Sequence, residues 1–144
     1  MNEVQVKKPV DKSLIGMAGE FLVAGQLLKR GYLASVTLGN AKAIDILVYN
    51  PNTDRNLNVQ VKASQGQTGG FFLKKEDVHP THIYVFVILN KPTEHEEYFV
   101  LKGDTILGNA SKFFGEKASK VSGIYYKDLR DFEDIEDKWQ VFEQ

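Results

Sequence analysis

Asp45 stands alone among apolar neighbours in the run Ala43-Ile44-Asp45-Ile46-Leu47-Val48-Tyr49. An ionised carboxylate in such a strand is costly unless a cation, a metal or a hydrogen-bond donor meets it. The next strand, Leu57-Asn58-Val59-Gln60-Val61-Lys62, alternates, so Leu57, Val59 and Val61 point one way while Asn58, Gln60 and Lys62 point the other. A turn centred near Asn52 and Thr53 would set Asp45 opposite residues 60 to 61, which makes Gln60 and Lys62 its nearest partners. By the same alternation Asp45 shares its face with Leu47 and Tyr49. An acid, an amide and an ammonium converging from adjacent strands make a candidate catalytic site.

The elements that would position these groups begin with a helix predicted over residues 13–31. Ser13 can cap it, Leu14, Met17, Ala18, Phe21, Gly25 and Leu28 recur at helical spacing, and Gly31 follows Lys29 and Arg30 at its end. Glu20 lies on the border of this helix among small and apolar residues. Gly16, Ala18, Gly19 and Ala24 would let the helix approach a sheet closely, so Glu20 can point across the gap toward Asp45.

After the helix, residues 32–38 read as a strand, Gly39-Asn40 as a turn, and Pro51-Asn52-Thr53-Asp54 as a second turn, giving a three-stranded meander. Residues 65–70 form a polar, glycine-rich loop. The hydrophobic stretch 82–90 is expected as a central strand covered on both faces, with residues 97–102 as its hairpin partner. Residues 104–117 and 126–132 are helix candidates. The last segment contains Ile135, Trp139, Val141 and Phe142 and is expected to dock on the body. The whole predicts a single α/β domain over residues 1–144, with 1–12 a flexible extension. Its mixed, mostly antiparallel central sheet would be flanked by the N-terminal helix and C-terminal helical segments.

Composition narrows the class. With 144 residues, 42% hydrophobic and 26% charged, the chain fits one ordinary globular core. Its longest apolar run, Ile83 to Leu89, is too short for a membrane span. Absence of cysteine excludes disulfides and thiolate metal sites, and with no signal-peptide pattern points to the cytoplasm. The net charge of −1 conceals +4 over residues 1–127 and −5 over 128–144, which neither demands nor excludes a polyanionic partner.

The order of a helix with Glu20, a hairpin with Asp45, and then Gln60-Val61-Lys62 resembles the PD-(D/E)XK nuclease superfamily, in its restriction-endonuclease-like and Holliday-junction-resolvase-like branches. The resemblance covers roughly residues 14–65, and the strand at 82–90 fits the same core. It departs in two places: Ile44 stands where a proline is usual, and Gln60 replaces the second acid, making a Gln-x-Lys variant. The resemblance implies metal-dependent phosphodiester hydrolysis, with DNA as the expected substrate. Asp45, Gln60, the Val61 carbonyl and Glu20 would hold Mg²⁺ or Mn²⁺, and Lys62 would orient water or stabilise developing charge. Ser64, Gln65, Gln67 and Thr68 would contact the nucleic-acid backbone. Cutting two strands usually takes two sites, so a homodimer is a further expectation.

Competing readings attach to the same residues. Asp45 and Lys62 can be a structural salt bridge, Glu20 a solvated helix carboxylate, and the 65–68 stretch a surface loop. His79-x-x-His82 lacks the companions of a zinc site. Phe71 and Phe72 read as core, with a wedge near the active loop as the alternative. Gln60 also allows a nuclease-fold module that binds nucleic acid or protein without cutting. A third possibility makes the acidic end a nucleic-acid mimic that could be deleted without unfolding the body.

Overall fold

A computed structural model of the chain describes residues 10–37, 44–67, 69–115 and 123–144. Helix α1 (Lys12–Lys29) opens at Asp11, whose carboxylate accepts from the Ser13 backbone N–H at 2.8 Å. Asp11 is therefore the cap in place of Ser13, and a capping side chain of this kind stabilises a helix by about 1 kcal/mol. Asp11 and Lys12 thus belong to the helix rather than to a flexible extension. Arg30 closes the helix, and Gly31 follows at φ 92°, a left-handed conformation that glycine adopts without a Cβ penalty.

The inward face of α1 is Gly19, Val23, Ala24 and Leu27. Leu14, Met17, Phe21 and Leu28, whose spacing makes the helix visible in the sequence, are exposed. The apolar period is real but belongs to the outer face, because the inner face uses small residues to come close to the sheet. A Cβ on Gly19 would lie 2.7 Å from the Ala63 Cβ, so only glycine permits that contact.

Strands β1 (Leu33–Val36), β2 (Ile46–Asn50) and β3 (Arg55–Gln65) form the expected antiparallel meander, with Asn50 opposite Arg55 across the turn. Next come the two-residue strand β4 (Gly70–Phe71), strand β5 (Ile83–Leu89) and strand β6 (Glu97–Lys102). The main sheet runs β1-β2-β3-β5-β6, antiparallel except where β5 lies parallel to β3. β5 is the central strand anticipated from its composition, with Ile83, Val85 and Val87 facing one core and Tyr84, Phe86 and Ile88 the other. β3 extends through Gln65, so part of the supposed 65–70 loop is strand, and Gly70 is already in β4.

The helix expected at 104–117 is broken at Asn109 into α2 (Gly103–Gly108) and α3 (Ala110–Phe114), and its last residues lie outside those described. β7 (Ile124–Tyr125) pairs with β4, and α4 (Tyr126–Arg130) is shorter than the 126–132 expectation. Three layers result. α1 and a terminal 3-10 turn carrying Trp139, Val141 and Phe142 cover one face of the sheet; Phe71, Leu73, Ile106, Phe113, Ile124 and Leu129 pack on the other.

The acidic end is structural. Ile135, Trp139, Val141 and Phe142 are buried, Asn50 donates to the Phe142 carbonyl at 2.8 Å, and the Tyr32 hydroxyl donates to Glu143. Deleting residues 128–144 would open both cores, which corrects the idea of a dispensable mimic. No helix among the described residues is long and apolar enough to cross a membrane.

Candidate active site

The site forms where β2 parts from β3. The register sets Ile46 opposite Val59, yet the Asp45 N–H also bonds the Val59 carbonyl at 2.9 Å, so two residues of one strand address one of the other. This is the geometry of a β-bulge, which re-aims a side chain at a strand end. Asp45 occupies that bend instead of the strand interior, while its carbonyl still accepts from Thr37 N–H on the β1 side at 2.9 Å.

Its carboxylate oxygen Oδ2 accepts the Val61 backbone N–H at 2.8 Å. The side chain thus caps a donor of β3 that has lost its strand partner, and the bond holds the acid in place. Glu20 meets Asp45 from α1, the two carboxyl groups standing within reach of a shared proton. Asp45 is consequently turned toward α1, rather than sharing the Leu47 and Tyr49 face as simple alternation implied. Burial, and then the charge of Asp45, raise the Glu20 pKa above its ordinary value. The close seating of Gly19 on Val61 and Ala63 brings Glu20, the next residue, to this position.

Gln60 is buried at 7% exposure and Lys62 is half-buried, one residue to either side of Val61. Two open grooves flank this segment. One, about 460 Å³, lies between Gln60 and Lys62 and the Phe72–His79 segment. The other, about 430 Å³, runs between the first turns of α1, at Lys12, Ile15 and Gly16, and the β3 residues Val61 to Gln65. Lys62 lines both. Among the described residues no salt bridge joins Lys62 to Asp45, so the plain structural ion pair is not what holds these groups.

Ser64 and Gln65 line the second groove from β3. Gln67 donates to Glu97 Oε2 at 2.8 Å and ties its segment to β6. Burial works to raise the Glu97 pKa, but hydrogen bonds from Gln67, Tyr126 and Asn90 outweigh it, and the net shift is downward. Thr68 lies outside the described residues. His79 and His82 stack at 4.4 Å, and no cluster of three His, Cys, Asp or Glu side chains suited to a metal occurs among the described residues.

The donors that meet at Asp45 are oxygens: two carboxylates and the Val61 carbonyl, which strand geometry directs to the same side as the Val61 N–H; Gln60 precedes Val61 on β3, and its side chain lines the groove toward Phe72–His79. Two adjacent acids with no ion-paired cation among the described residues suit a hard divalent ion that keeps several waters. The residues present therefore fit Mg²⁺ or Mn²⁺.

Two residues at this site escape a reading by motif. Lys12 stands in the segment expected to be a flexible extension, and Phe72, expected as core with a wedge as the alternative, is exposed while Phe71 is core. The signal for Phe72 was available in the alternation of Phe71, Phe72 and Leu73, which sends the middle ring outward.

No protein-family profile matches the chain, and no curated protein does. Among solved structures, a bacterial homing endonuclease aligns at 17% identity over 69% of this chain and 74% of that one, with a TM-score of 0.48.

Proposed function

We propose that this protein is a divalent-metal-dependent nuclease of the PD-(D/E)XK type in its Gln-x-Lys form, hydrolysing phosphodiester bonds in DNA. The observation that carries the reading is the meeting of Glu20 and Asp45, from a helix and a strand end, against the Val61 N–H beside Gln60 and Lys62. Asp45, Glu20, the Gln60 oxygen and the Val61 carbonyl would hold the ion. When bound, Mg²⁺ or Mn²⁺ would make water more acidic and offset charge gathering on the phosphate.

The remaining work belongs to the chain. The Val61 N–H fixes the Asp45 carboxylate, so this ligand needs no reordering when substrate arrives. Gln60 contributes an oxygen without a charge, which leaves the site less repulsive to a phosphate than three acids would be. Lys62, in both grooves, supplies a mobile positive charge to the scissile phosphate and orients the attacking water. Ser64 and Gln65, along the Lys12 groove, offer neutral hydrogen bonds to the nucleic-acid backbone. A homodimer would furnish the two sites that cutting both strands requires; a monomer under all conditions by gel filtration with light scattering would remove that part. A cytoplasmic location accompanies this reading.

The test is incubation of plasmid, single-stranded and branched DNA with Mg²⁺ or Mn²⁺. The wild type should cut at least one of them, while Asp45→Ala should be inactive and Lys62→Ala slowed by about 10²–10³-fold. Equal background from all three proteins would overturn the nuclease reading and favour the binding module that Gln60 also allows.

A further inference from the structure

Phe72 is 68% exposed although its neighbours Phe71 and Leu73 are buried at 2% and 3%. Phe71 packs edge-on against Phe86, with ring centroids 5.1 Å apart, and pairs with Ile124 in the small β4–β7 sheet. Leu73 enters the same core. With both flanking side chains sunk, an extended backbone must send Phe72 outward, so the ring is anchored from both sides.

A lone exposed aromatic is ordinary, but the placement of this one is not. Phe72 and Lys62 are the two residues common to the grooves that flank the candidate site. The α1-side groove is lined by Lys12 and Lys62 and, among the described residues, by no carboxylate. The opposite groove mixes Lys74 with Glu76 and Asp77. Positive charge beside an anchored, outward ring is the combination that binds single-stranded nucleic acid, the lysines tracking phosphate and the ring stacking on a base. In an intact duplex the base faces are already stacked, so only an unpaired or extruded nucleotide can offer one.

We infer that Phe72 is the stacking platform for an unpaired base of a DNA strand whose phosphates run through the Lys12–Lys62 groove. The substrate then carries at least one unstacked nucleotide beside the scissile bond, which makes single strands, flaps or branches better substrates than blunt duplex. This specificity deepens the nuclease reading and rests on it for the class of substrate.

The test is fluorescence anisotropy in EDTA with labelled single-stranded DNA, a duplex bearing one unpaired nucleotide, a blunt duplex, and heparin as a polyanion without bases. Phe72→Ala should weaken binding of the first two probes by roughly 5- to 150-fold, leaving blunt duplex and heparin unchanged. Phe72→Leu, which keeps the apolar surface but lacks a ring, should weaken the same two, and Phe72→Trp should restore them. Equal affinity of wild type and Phe72→Ala for every probe, with wild-type cleavage intact, would overturn the platform alone. Failure of the wild type to bind any of the DNA probes would overturn the platform and the nuclease reading together.

Discussion

Replacing Glu20 by Gln should make the metal-free protein more stable while weakening its response to metal. Glu20 and Asp45 are like charges side by side, and the Glu20 pKa is raised by burial and then by Asp45. Two such charges about 4 Å apart repel by about 1 kcal/mol when well solvated and more when partly shielded. Glu20 is partly exposed, so about 1 kcal/mol is the working figure. With an unfolding entropy of about 2.1 cal/mol/K per residue over 144 residues, that corresponds to a Tm rise of about 3 °C at pH 8.

The pH dependence has a definite sign. A carboxyl whose folded pKa is raised lends stability below its unfolded pKa and loses it as pH rises through the raised value. Wild type in EDTA should therefore lose stability relative to Glu20→Gln as pH climbs through the Glu20 titration. His82 runs the other way, because burial lowers its pKa, but it is common to both proteins and cancels in the difference. Added Mn²⁺ reverses the order: at ten times Kd it stabilises wild type by about 1.4 kcal/mol, about 5 °C, and the variant by less. The assay is thermal unfolding followed by circular dichroism, with and without Mn²⁺, from pH 4 to 9. A Glu20→Gln protein no more stable than wild type in EDTA at pH 8, with equal Mn²⁺ response, would refute the reasoning.

Other consequences follow from the same geometry. Gln60→Glu should tighten Mn²⁺ binding about tenfold in a titration, since it adds a third charge near the ion, and should lower stability in EDTA because position 60 is buried. Gly19→Ala should cost about 1–3 kcal/mol, or about 3–10 °C in Tm, because its Cβ would sit 2.7 Å from Ala63; lifting α1 should also uncouple Glu20 from Asp45 and reduce the metal response. Deleting residues 128–144 removes Leu129, Ile135, Trp139, Val141 and Phe142 from the cores. At about 1.5–3 kcal/mol each this approaches the whole stability of an ordinary domain, so the truncated chain should be unfolded by circular dichroism. The lowered Glu97 pKa means that its bonds to Gln67, Tyr126 and Asn90 lend stability above the ordinary carboxylate pKa and lose it as pH falls through the folded value; Glu97→Gln should flatten that acid limb.

Much of the architecture could be read from period alone. The alternation of residues 57–62 and the continuous apolar run at 83–89 fixed β3 and β5, because a two-sided sheet leaves little choice about which side chains are inside. The turn at residues 51–54 set the β2–β3 register correctly. The helix was legible, and so was its close approach to the sheet through Gly19 and Ala24; what the apolar spacing did not reveal is that the larger Leu14, Met17 and Phe21 are left outside. Asp45 could be singled out by its solitude, whereas its aim depended on a one-residue slip against Val59 that no local pattern announces. Phe72 was half legible: alternation along Phe71, Phe72 and Leu73 sends the middle ring to the other side, but that the flanking pair is the buried one depends on a core built largely from the C-terminal half.

The most direct test is anomalous diffraction from crystals soaked in Mn²⁺. A peak should appear about 2 Å from carboxylate oxygens of Asp45 and Glu20, on the side of the Val61 carbonyl. A map without density there, the two carboxylates still side by side at a pH where both are ionised, would contradict the metal site and with it the proposed chemistry.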